Sequence, residues 1–180
     1  MSESLLHRVN DALITDENFL ACIEITKGSK NKYEYNEYMD ALVLDRILYT
    51  STHYPHNYGF IPRTWGLDND PLDVLVISSE PITPLALVRC KPIGILEMID
   101  SGMHDEKIIA VSTRDPFYGN YDDLCELPTH VMEEIQHFFK VYKQLEHEKS
   151  TLIEGFKGRE KAKEAIRNAK ERYKEKFNVK

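Results

Sequence analysis

Proline and glycine interrupt residues 55–102 at short intervals, which leaves no room there for a long helix. Runs rich in Val, Ile and Leu lie before, between or after these interruptions, at 20–26, 41–49, 74–78, 85–98 and 108–112. Short strands at close spacing are typical of an antiparallel barrel rather than of repeated strand–helix–strand units. Gly94, inside the fourth run, predicts a bend in one long strand. The interrupting residues are Pro55, Gly59, Pro62, Gly66, Pro71, Pro81, Pro84, Pro92, Gly94 and Gly102.

The C-terminal part of the chain has a helical period instead. Apolar residues recur at intervals of three and four after Pro128 and again after Gly158, so two amphipathic helices are predicted. Residues 1–19 are predicted to form one short leading helix. The predicted fold class is α+β, a single domain over 1–180 in which a small β-barrel is flanked by C-terminal α-helices. The two apolar stripes are Val131, Ile135, Phe138, Phe139, Tyr142 and Leu145, and Ala162, Ala165, Ile166, Ala169, Tyr173 and Phe177.

Composition excludes several classes of protein. The chain has 180 residues, of which 42% are hydrophobic and 29% charged, as expected of a soluble globular domain. Its net charge of −7 argues against a general affinity for nucleic acid or an acidic membrane surface. The sequence lacks a membrane-length apolar run and a signal-peptide pattern, so we expect a cytoplasmic protein. Cys22, Cys90 and Cys125 are widely spaced, and we interpret all three as reduced, buried thiols.

Three carboxylates crowd the segment 68–73, whose sequence is DNDPLD, directly before the apolar run 74–77. Crowded carboxylates repel one another and raise each other's pKa, whereas a hard divalent cation prefers oxygen ligands and offsets the repulsion. Asp68, Asp70 and Asp73 therefore indicate metal-dependent chemistry.

The segment 68–73 has three other interpretations. Asp, Asn and Pro are common turn residues, so a solvated loop leading into a strand is an equally good interpretation of the segment alone. A calcium loop of the EF-hand type is excluded, because its sixth and twelfth positions require Gly and Glu but hold Asp73 and Ser79. An aspartyl-nucleophile phosphatase is weakly supported, because residues 60–67 form a turn-rich connection rather than a buried strand.

Further acids recur near the ends of the predicted strands: Glu24, Glu34, Asp100 and Asp105. Each is also compatible with an ordinary solvent-exposed position. Glu24 lies between two isoleucines, and strand alternation should point it away from them, toward a barrel mouth or solvent.

Basic side chains and tyrosines are interleaved with these acids. Arg46 stands inside an apolar run, and its planar fork suits either a phosphate or a structural salt bridge with Asp45 or a distant acid. Taken singly, the lysines are compatible with surface positions and the tyrosines with the core. The side chains concerned are Lys32, Lys107, Lys143, Tyr54, Tyr58 and Tyr142.

One pocket that joined these groups would suit several Mg²⁺ ions bridging the carboxylates to a polyanionic phosphate. The acids would hold metal, and the basic side chains and hydroxyls would hold phosphate. Such metals also lower the pKa of a bound water, so that hydroxide attacks phosphorus while Lys and Arg stabilise the developing charge. A zinc site at His53 and His56 is disfavoured because no partner pair of ligands lies nearby.

The ordered motifs resemble those of the soluble, single-domain, Mg²⁺-dependent inorganic pyrophosphatases of family I. The central signature is DNDPLDV at 68–74, and the resemblance extends over roughly residues 20–170. The other matching motifs are IEI at 23–25, KYE at 32–34, DR at 45–46, YPHNYG at 54–59, the segment 94–100, DEK at 105–107 and HFFKVYK at 137–143.

The resemblance implies a five-stranded OB-type barrel with flanking helices, and hydrolysis of inorganic pyrophosphate to two orthophosphates. It also implies several Mg²⁺ ions per site, with Mn²⁺ or other divalent ions as substitutes. The main metal ligands that it implies are Asp68, Asp70, Asp73, Asp100 and Asp105, with Glu24 and Glu34 as direct or water-mediated contacts at the edge.

Roles for the remaining residues follow from the same resemblance. Asp70 would orient the metal-bridging water and help to deprotonate it. The implied catalytic set is Asp70, Tyr58, Lys32 and Arg46. The implied substrate-binding set is Lys32, Arg46, Tyr58, Lys107, Tyr142 and Lys143, with Tyr54 in support.

The chain departs from the family pattern at Ser101, where bacterial relatives often carry an acid after the matching aspartate; metal affinity or ion number would then differ. The resemblance further implies a homotrimer or homohexamer, with His137 at a subunit contact. Two other classes stay open: a nucleic-acid-binding barrel, which the acidic charge disfavours, and a divalent-ion-binding protein without turnover.

Overall fold

The computed structural model describes residues 4–147 and 150–179, which form eight strands and three α-helices. The strands are β1 (Phe19–Ile25), β2 (Asn31–Asn36), β3 (Ala41–Ile47), β4 (Asn57–Phe60), β5 (Asp73–Ile77), β6 (Leu87–Asp100), β7 (Met103–Ser112) and β8 (Thr151–Gly158). The helices are α1 (Leu5–Arg8), α2 (Thr129–Val141) and α3 (Arg159–Phe177), and 3₁₀ turns span Asp11–Leu13 and Leu124–Glu126.

Five of the strands close on themselves. They pair in the order β1-β4-β5-β7-β6, and a further ladder between β6 and β1 completes the ring. The β5–β7 pair is parallel and the other pairs are antiparallel. This closed sheet and its helices confirm the predicted α+β fold with a five-stranded OB-type barrel. β8 adds to the outer edge of β6, and β2 and β3 form a separate two-stranded sheet.

β6 is long enough to serve both the ring and its extension because it bends near Gly94. Its ladder with β7 shifts register between Pro92 and Gly94, where the sequence predicts a bend. A Cβ atom at Gly94 would lie only 2.1 Å from Cδ1 of Leu124. The bend therefore depends on close packing as well as on backbone geometry.

The helices cover the barrel with the faces that the sequence predicts. In α3, Ala162, Ala165, Ile166 and Ala169 are buried against barrel residues, and their small size lets the helix approach the sheet closely. α2 buries Ile135, Phe138 and Phe139 in a second cluster with residues of β4 to β7. Full burial of one such large side chain contributes about 1.5–3 kcal/mol, so these stripes fix both helices to the barrel.

Three strands were not predicted from the sequence. β2 is rich in charged and amide residues, β4 is only four residues long, and β8 contains two glycines. β2 is a strand because it forms a hairpin with β3, whereas β4 and β8 depend on ladders with strands farther away in the chain rather than on local preference. For example, β4 pairs with both β1 and β5.

Two local predictions are wrong. Instead of one leading helix, the N-terminal segment has the single turn of α1 and a separate 3₁₀ turn, because Val9 is extended and the Asn10 side chain caps the second turn; residues 1–3 lie outside the described part. Cys125 is exposed, whereas Cys22 and Cys90 are buried as predicted. In the 3₁₀ turn that contains Cys125, Leu124 takes the inward position.

No helix within residues 4–147 and 150–179 is long and apolar enough to cross a membrane.

Candidate active site

A pocket of about 290 Å³ opens where the barrel, the β2–β3 sheet and the C-terminal end of α2 meet. It brings together every residue that the sequence analysis assigned to the site except Arg46 and Tyr54. The lining residues are Glu24, Lys32, Tyr33, Glu34, Tyr35, Tyr58, Phe60, Asp68, Asp70, Pro71, Asp73, Asp100, Asp105, Lys107, Tyr142 and Lys143.

The barrel places its acids by two local devices. Asp68 and Asp70 lie in the loop between β4 and β5, where the Asp68 carboxylate accepts a hydrogen bond from the backbone N–H of Asp70 at 3.2 Å. Asp100 ends β6, and a two-residue turn with positive φ at Ser101 and Gly102 leads into β7. Positive φ at both positions suits a tight hairpin.

The parallel β5–β7 pair joins the two acidic segments. Asp73 at the start of β5 stands opposite Lys107 of β7, and Asp105 lies two residues earlier on the same face of β7. As a result, Asp68, Asp73 and Asp105 each present an oxygen within 4.8 Å of the other two. This cluster is the structural counterpart of the predicted metal site.

The carboxylates of the pocket are hard to ionise together. Burial, followed by repulsion from Asp73 and Asp105, raises the pKa of Asp68 to about 7. Burial, followed by Asp73 and Glu34, also raises the pKa of Asp70. The cationic side chains of the pocket therefore do not fully offset the repulsion between its carboxylates.

Lys107 is the cation at the centre of the cluster. Its buried Nζ donates to both Asp105 oxygens at 2.9 and 3.0 Å, to Asp73 at 2.8 Å and to the Tyr58 hydroxyl at 2.9 Å. Burial acts against its charge, but Asp105 and Asp73 outweigh it and raise the pKa of Lys107 well above its usual value. Lys107 is thus a buried charge partner and not a surface lysine.

Two tyrosines supply hydroxyls to the pocket. The Tyr58 hydroxyl donates to Asp73, and burial followed by the Asp73 charge raises the pKa of Tyr58 well above its ordinary value. Burial likewise raises the pKa of Tyr142. Both hydroxyls stay protonated near neutral pH and act as donors. Tyr54 lies behind Tyr58, its ring centroid 5.3 Å from that of Tyr58 and 4.7 Å from that of Phe138.

Glu24 lines the pocket at the barrel and does not point into solvent. Its side chain is buried, and its Oε1 accepts a hydrogen bond from the backbone N–H of Tyr35 at 2.7 Å. Burial is the main cause that raises the pKa of Glu24 to about 8. The hydrogen bond between Glu24 and Tyr35 links β1 to the β2–β3 sheet.

The remaining cations of the pocket are paired with acids. Lys143 pairs with Asp100, and Lys32 pairs with Glu34 and lies 3.7 Å from an Asp45 oxygen. The Ser101 hydroxyl also donates to Asp100, at 3.2 Å.

Arg46 lies beside the pocket rather than in its lining. It stands opposite Lys32 in the β2–β3 ladder. Its Nε donates to Glu146 at 2.7 Å and its Nη1 to Asp45. Nη2 is buried and has no hydrogen-bond partner among the described residues. The salt bridge foreseen as the structural alternative is present, and a phosphate contact by Arg46 stays a prediction.

Five residues of the site and its surroundings are not among those predicted from the sequence. Tyr33, Tyr35, Phe60 and Pro71 line the pocket, and Glu146 supports it from the turn after α2. The alternation of Tyr33 and Tyr35 with Lys32 and Glu34 is a strand signal that would have revealed the first two. Nothing local distinguishes Glu146 from the surface acids near it.

The donor set of the pocket fits a hard divalent cation. Three carboxylate oxygens converge on one point, and Asp70, Asp100, Glu24 and Glu34 add further oxygens around the same pocket. Mg²⁺ and Mn²⁺ take such ligands, whereas zinc and copper sites use His or Cys, which do not line this pocket.

Comparison with known proteins agrees with this chemistry. The family model described as "Inorganic pyrophosphatase" matches residues 21–174. The chain is 46% identical over 173 residues to soluble inorganic pyrophosphatase 2 of Chlamydomonas reinhardtii, covering 96% of this chain and 88% of that protein. It is 49% identical over 157 residues to soluble inorganic pyrophosphatase 1 of Arabidopsis thaliana, covering 87% and 74%.

Solved structures of similar proteins have the same fold. The inorganic pyrophosphatase of Helicobacter pylori superposes with a TM-score of 0.87 at 37% identity, covering 89% of this chain and 96% of that one. The enzyme of Neisseria gonorrhoeae gives 0.88 at 33% identity, covering 94% and 99%. With its barrel, its carboxylate pocket and these matches over most of its length, the chain belongs to the inorganic pyrophosphatase family.

Proposed function

We propose that this protein hydrolyses inorganic pyrophosphate to two orthophosphates with the help of several Mg²⁺ ions. The observation that carries the proposal is the meeting of Asp68, Asp73 and Asp105 with lysines and tyrosine hydroxyls in one pocket. A pocket lined only by carboxylates would suit metal binding without turnover, and a pocket lined only by cationic side chains would suit anion binding. Their combination suits a substrate that is itself a metal-bound polyanion.

The residues divide into two sets. The proposed metal ligands are Asp68, Asp70, Asp73, Asp100 and Asp105, with Glu24 and Glu34 at the edge. When bound, Mg²⁺ neutralises phosphate charge and lowers the pKa of water, and Mn²⁺ or another hard divalent ion can do the same. Asp70 is exposed to the pocket and has a raised pKa, so we assign it the acceptance of a proton from the attacking water.

The second set acts on the substrate. Lys32, Lys143 and Arg46 carry fixed positive charge and are assigned to the phosphate oxygens, where charge develops as the bridging bond breaks. Tyr58 and Tyr142 donate hydrogen bonds, because their hydroxyls stay protonated. Lys107 holds Asp73 and Asp105 in place and supports the same charge from the acidic side. Tyr54 supports the ring of Tyr58.

Release of phosphate from pyrophosphate tests this function directly. The purified protein is assayed near neutral pH with Mg²⁺, with Mn²⁺ and with excess chelator. We expect release with either metal and none with chelator. A protein that binds Mg²⁺ by calorimetry but releases no phosphate would be a metal-binding relative without turnover, and the proposal would be wrong.

We further propose a cytoplasmic homotrimer or homohexamer. The support is a set of exposed apolar side chains on and after β3, including Val43, Ile47 and Tyr49, which a single subunit leaves in water. His137, expected at a subunit contact, is exposed on α2. Sedimentation equilibrium should give three or six times the subunit mass, and a monomer at micromolar concentration would contradict the assembly.

A further inference from the structure

The β2–β3 sheet carries Lys32 and Arg46, yet within residues 4–147 and 150–179 it shares no backbone ladder with the barrel. Apart from its connections to β1 and β4, which are joined by backbone hydrogen bonds such as that from the N–H of Tyr54 to the carbonyl of Ser29, its position over the carboxylate cluster depends on contacts made by side chains. Such contacts decide whether its cations stand ready for substrate or have to be ordered when substrate binds.

One end of the sheet is held by Tyr35. Its backbone N–H donates to Glu24, and its ring stacks on Phe60 with centroids 5.4 Å apart. Its hydroxyl accepts a hydrogen bond from the backbone N–H of Leu5 at 2.7 Å. These contacts lie beyond Lys32 and Arg46, toward the hairpin turn.

At the other end, where the chain connects to β1 and β4, the pair of Arg46 and Glu146 ties the sheet to the turn after α2. The Nε–Oε1 distance is 2.7 Å, and the two side chains are only 16% and 5% exposed. One hundred residues separate them in sequence. A charge-assisted hydrogen bond so shielded from water is stronger than a surface ion pair.

Glu146 lies outside the hairpin, in a segment that carries two residues of the pocket. It belongs to the turn that follows α2, and its backbone N–H donates to the carbonyl of Lys143 at 2.9 Å. The same turn carries Tyr142 and Lys143, both of which line the pocket. The pair with Arg46 therefore ties the cationic hairpin to the other phosphate-facing wall.

We infer that Glu146 is a positioning residue for phosphate binding, which acts through Arg46. It sets the distance between the two walls before substrate arrives, so that Lys32 and Lys143 meet both ends of one anion. This inference rests on the proposed function, and its test includes a measurement that needs no activity.

Steady-state kinetics of Glu146→Ala and Glu146→Gln give the first measurement. For Glu146→Ala we expect KM for pyrophosphate to rise about tenfold while kcat changes by less than about threefold. The Gln carbonyl can still accept the Arg46 hydrogen bond, so KM of Glu146→Gln should stay within about threefold of wild type. A KM of Glu146→Ala equal to that of wild type would overturn the inference.

Coupling to Arg46 gives the second measurement. In an Arg46→Ala background, Glu146→Ala should raise KM no further, because the group through which it acts is gone. Equal, multiplicative effects in both backgrounds would mean that Glu146 does not act through Arg46. Asp122→Ala is the matched control, because Asp122 pairs with Lys91 and Arg159 far from the pocket and its loss should leave KM unchanged.

Hydrogen exchange of the metal-free protein gives the third. Amides of β2 and β3 should exchange at least about tenfold faster in Glu146→Ala than in wild type, while those of β5 and β7 stay unchanged. Unchanged β2–β3 exchange would overturn the inference whether or not the protein is an enzyme. Wild-type protein could instead fail to hydrolyse pyrophosphate while β2–β3 exchange still becomes faster in Glu146→Ala. That result would contradict the proposed function but not the positioning role of Glu146.

Discussion

Asp70 differs from the other two aspartates of its segment because its side chain is exposed, whereas Asp68 and Asp73 are half-buried. Its raised pKa comes from lost hydration and from the nearby Asp73 and Glu34 charges. An accessible carboxylate with a raised pKa can accept a proton from a water molecule that reaches it. Because the pKa of the half-buried Asp68 is raised as well, to about 7, accessibility is the property that favours Asp70 as the proposed base.

Asp70→Asn tests that assignment. The change preserves size but removes proton acceptance and one charge, so we expect turnover to fall by at least about 100-fold with little loss of thermal stability. The exposed Glu133→Gln on α2 is a control that removes the same charge outside the pocket. Turnover of Asp70→Asn within twofold of wild type would show that another group accepts the proton.

His56 is a buried residue whose effect lies in stability rather than catalysis. Neither ring nitrogen has a hydrogen-bond partner among the described residues. Burial, with a smaller contribution from Lys27, lowers the pKa of His56 to about 4. The imidazole is therefore neutral in the folded protein but binds a proton readily once the chain unfolds.

The sign of the resulting pH dependence follows from this difference. Stability from His56 is fully present above pH 6.5 and is lost as pH falls toward 4, because only the unfolded state gains the proton. The loss should reach about 3 kcal/mol at pH 4. In urea unfolding, the free energy of unfolding of His56→Leu relative to that of wild type should rise by about 3 kcal/mol as pH falls from 6.5 to 4. The exposed His53→Leu should keep a constant difference from wild type over the same range, and a constant difference for His56→Leu as well would contradict the prediction.

At the scale of elements, two glycines test how closely the strands must approach. A Cβ atom on Gly59 of β4 would lie 1.8 Å from the carbonyl oxygen of Cys22 in β1. A Cβ atom on Gly102, in the β6–β7 turn, would have no neighbour within 4 Å, although its φ of +84° is left-handed. The first glycine is required by packing, and the second only by backbone conformation.

Gly59→Ala should therefore lower the free energy of unfolding by at least about 3 kcal/mol, because β1 and β4 have to separate. Gly102→Ala should lower it by about 1 kcal/mol, the cost of a left-handed residue with a side chain. Urea denaturation of the two variants measures both values. The prediction is wrong if Gly102→Ala proves the more damaging change.

For the whole molecule, the acidic pocket should make stability depend on metal and pH together. Glu24 and Asp68 have pKa values raised to about 8 and about 7. An acid with a raised folded pKa contributes stability that is fully present below its unfolded pKa and is lost as pH rises from there through the folded value. The metal-free protein should therefore still lose on the order of 2 kcal/mol between pH 6.5 and 8.5.

Mg²⁺ should oppose this loss, because it binds the ionised carboxylates of the folded state. At 100 times its dissociation constant, one ion adds about 3 kcal/mol to the free energy of unfolding. Thermal unfolding in Mg²⁺ and in EDTA, at pH 6.5 and 8.5, measures the difference, which should be larger at pH 8.5. Asp68→Asn should reduce it, and an equal Mg²⁺ effect in that variant would remove Asp68 from the metal site.

Local sequence was sufficient to predict the acidic cluster and the two C-terminal helices. The segment 68–73 brings three acids together within six residues, so its crowding exists before folding. The apolar stripes of α2 and α3 have a helical period that only one conformation can bury. The ordered motifs then predicted the OB-type barrel, which is confirmed, and roles for single residues, which stay predictions.

Other features were decided only by tertiary structure, because they join residues far apart in the chain. Asp73 meets Lys107 across 34 residues, through the parallel pairing of β5 and β7. Arg46 meets Glu146 across 100 residues, and nothing near Glu146 in the sequence marks it. β8 is a strand because it pairs with β6. The sequence by itself determined which chemical groups the protein has and which local conformations they favour. Strand pairing in the barrel and side-chain contacts outside it decided which groups meet, because they bring distant residues within bonding distance.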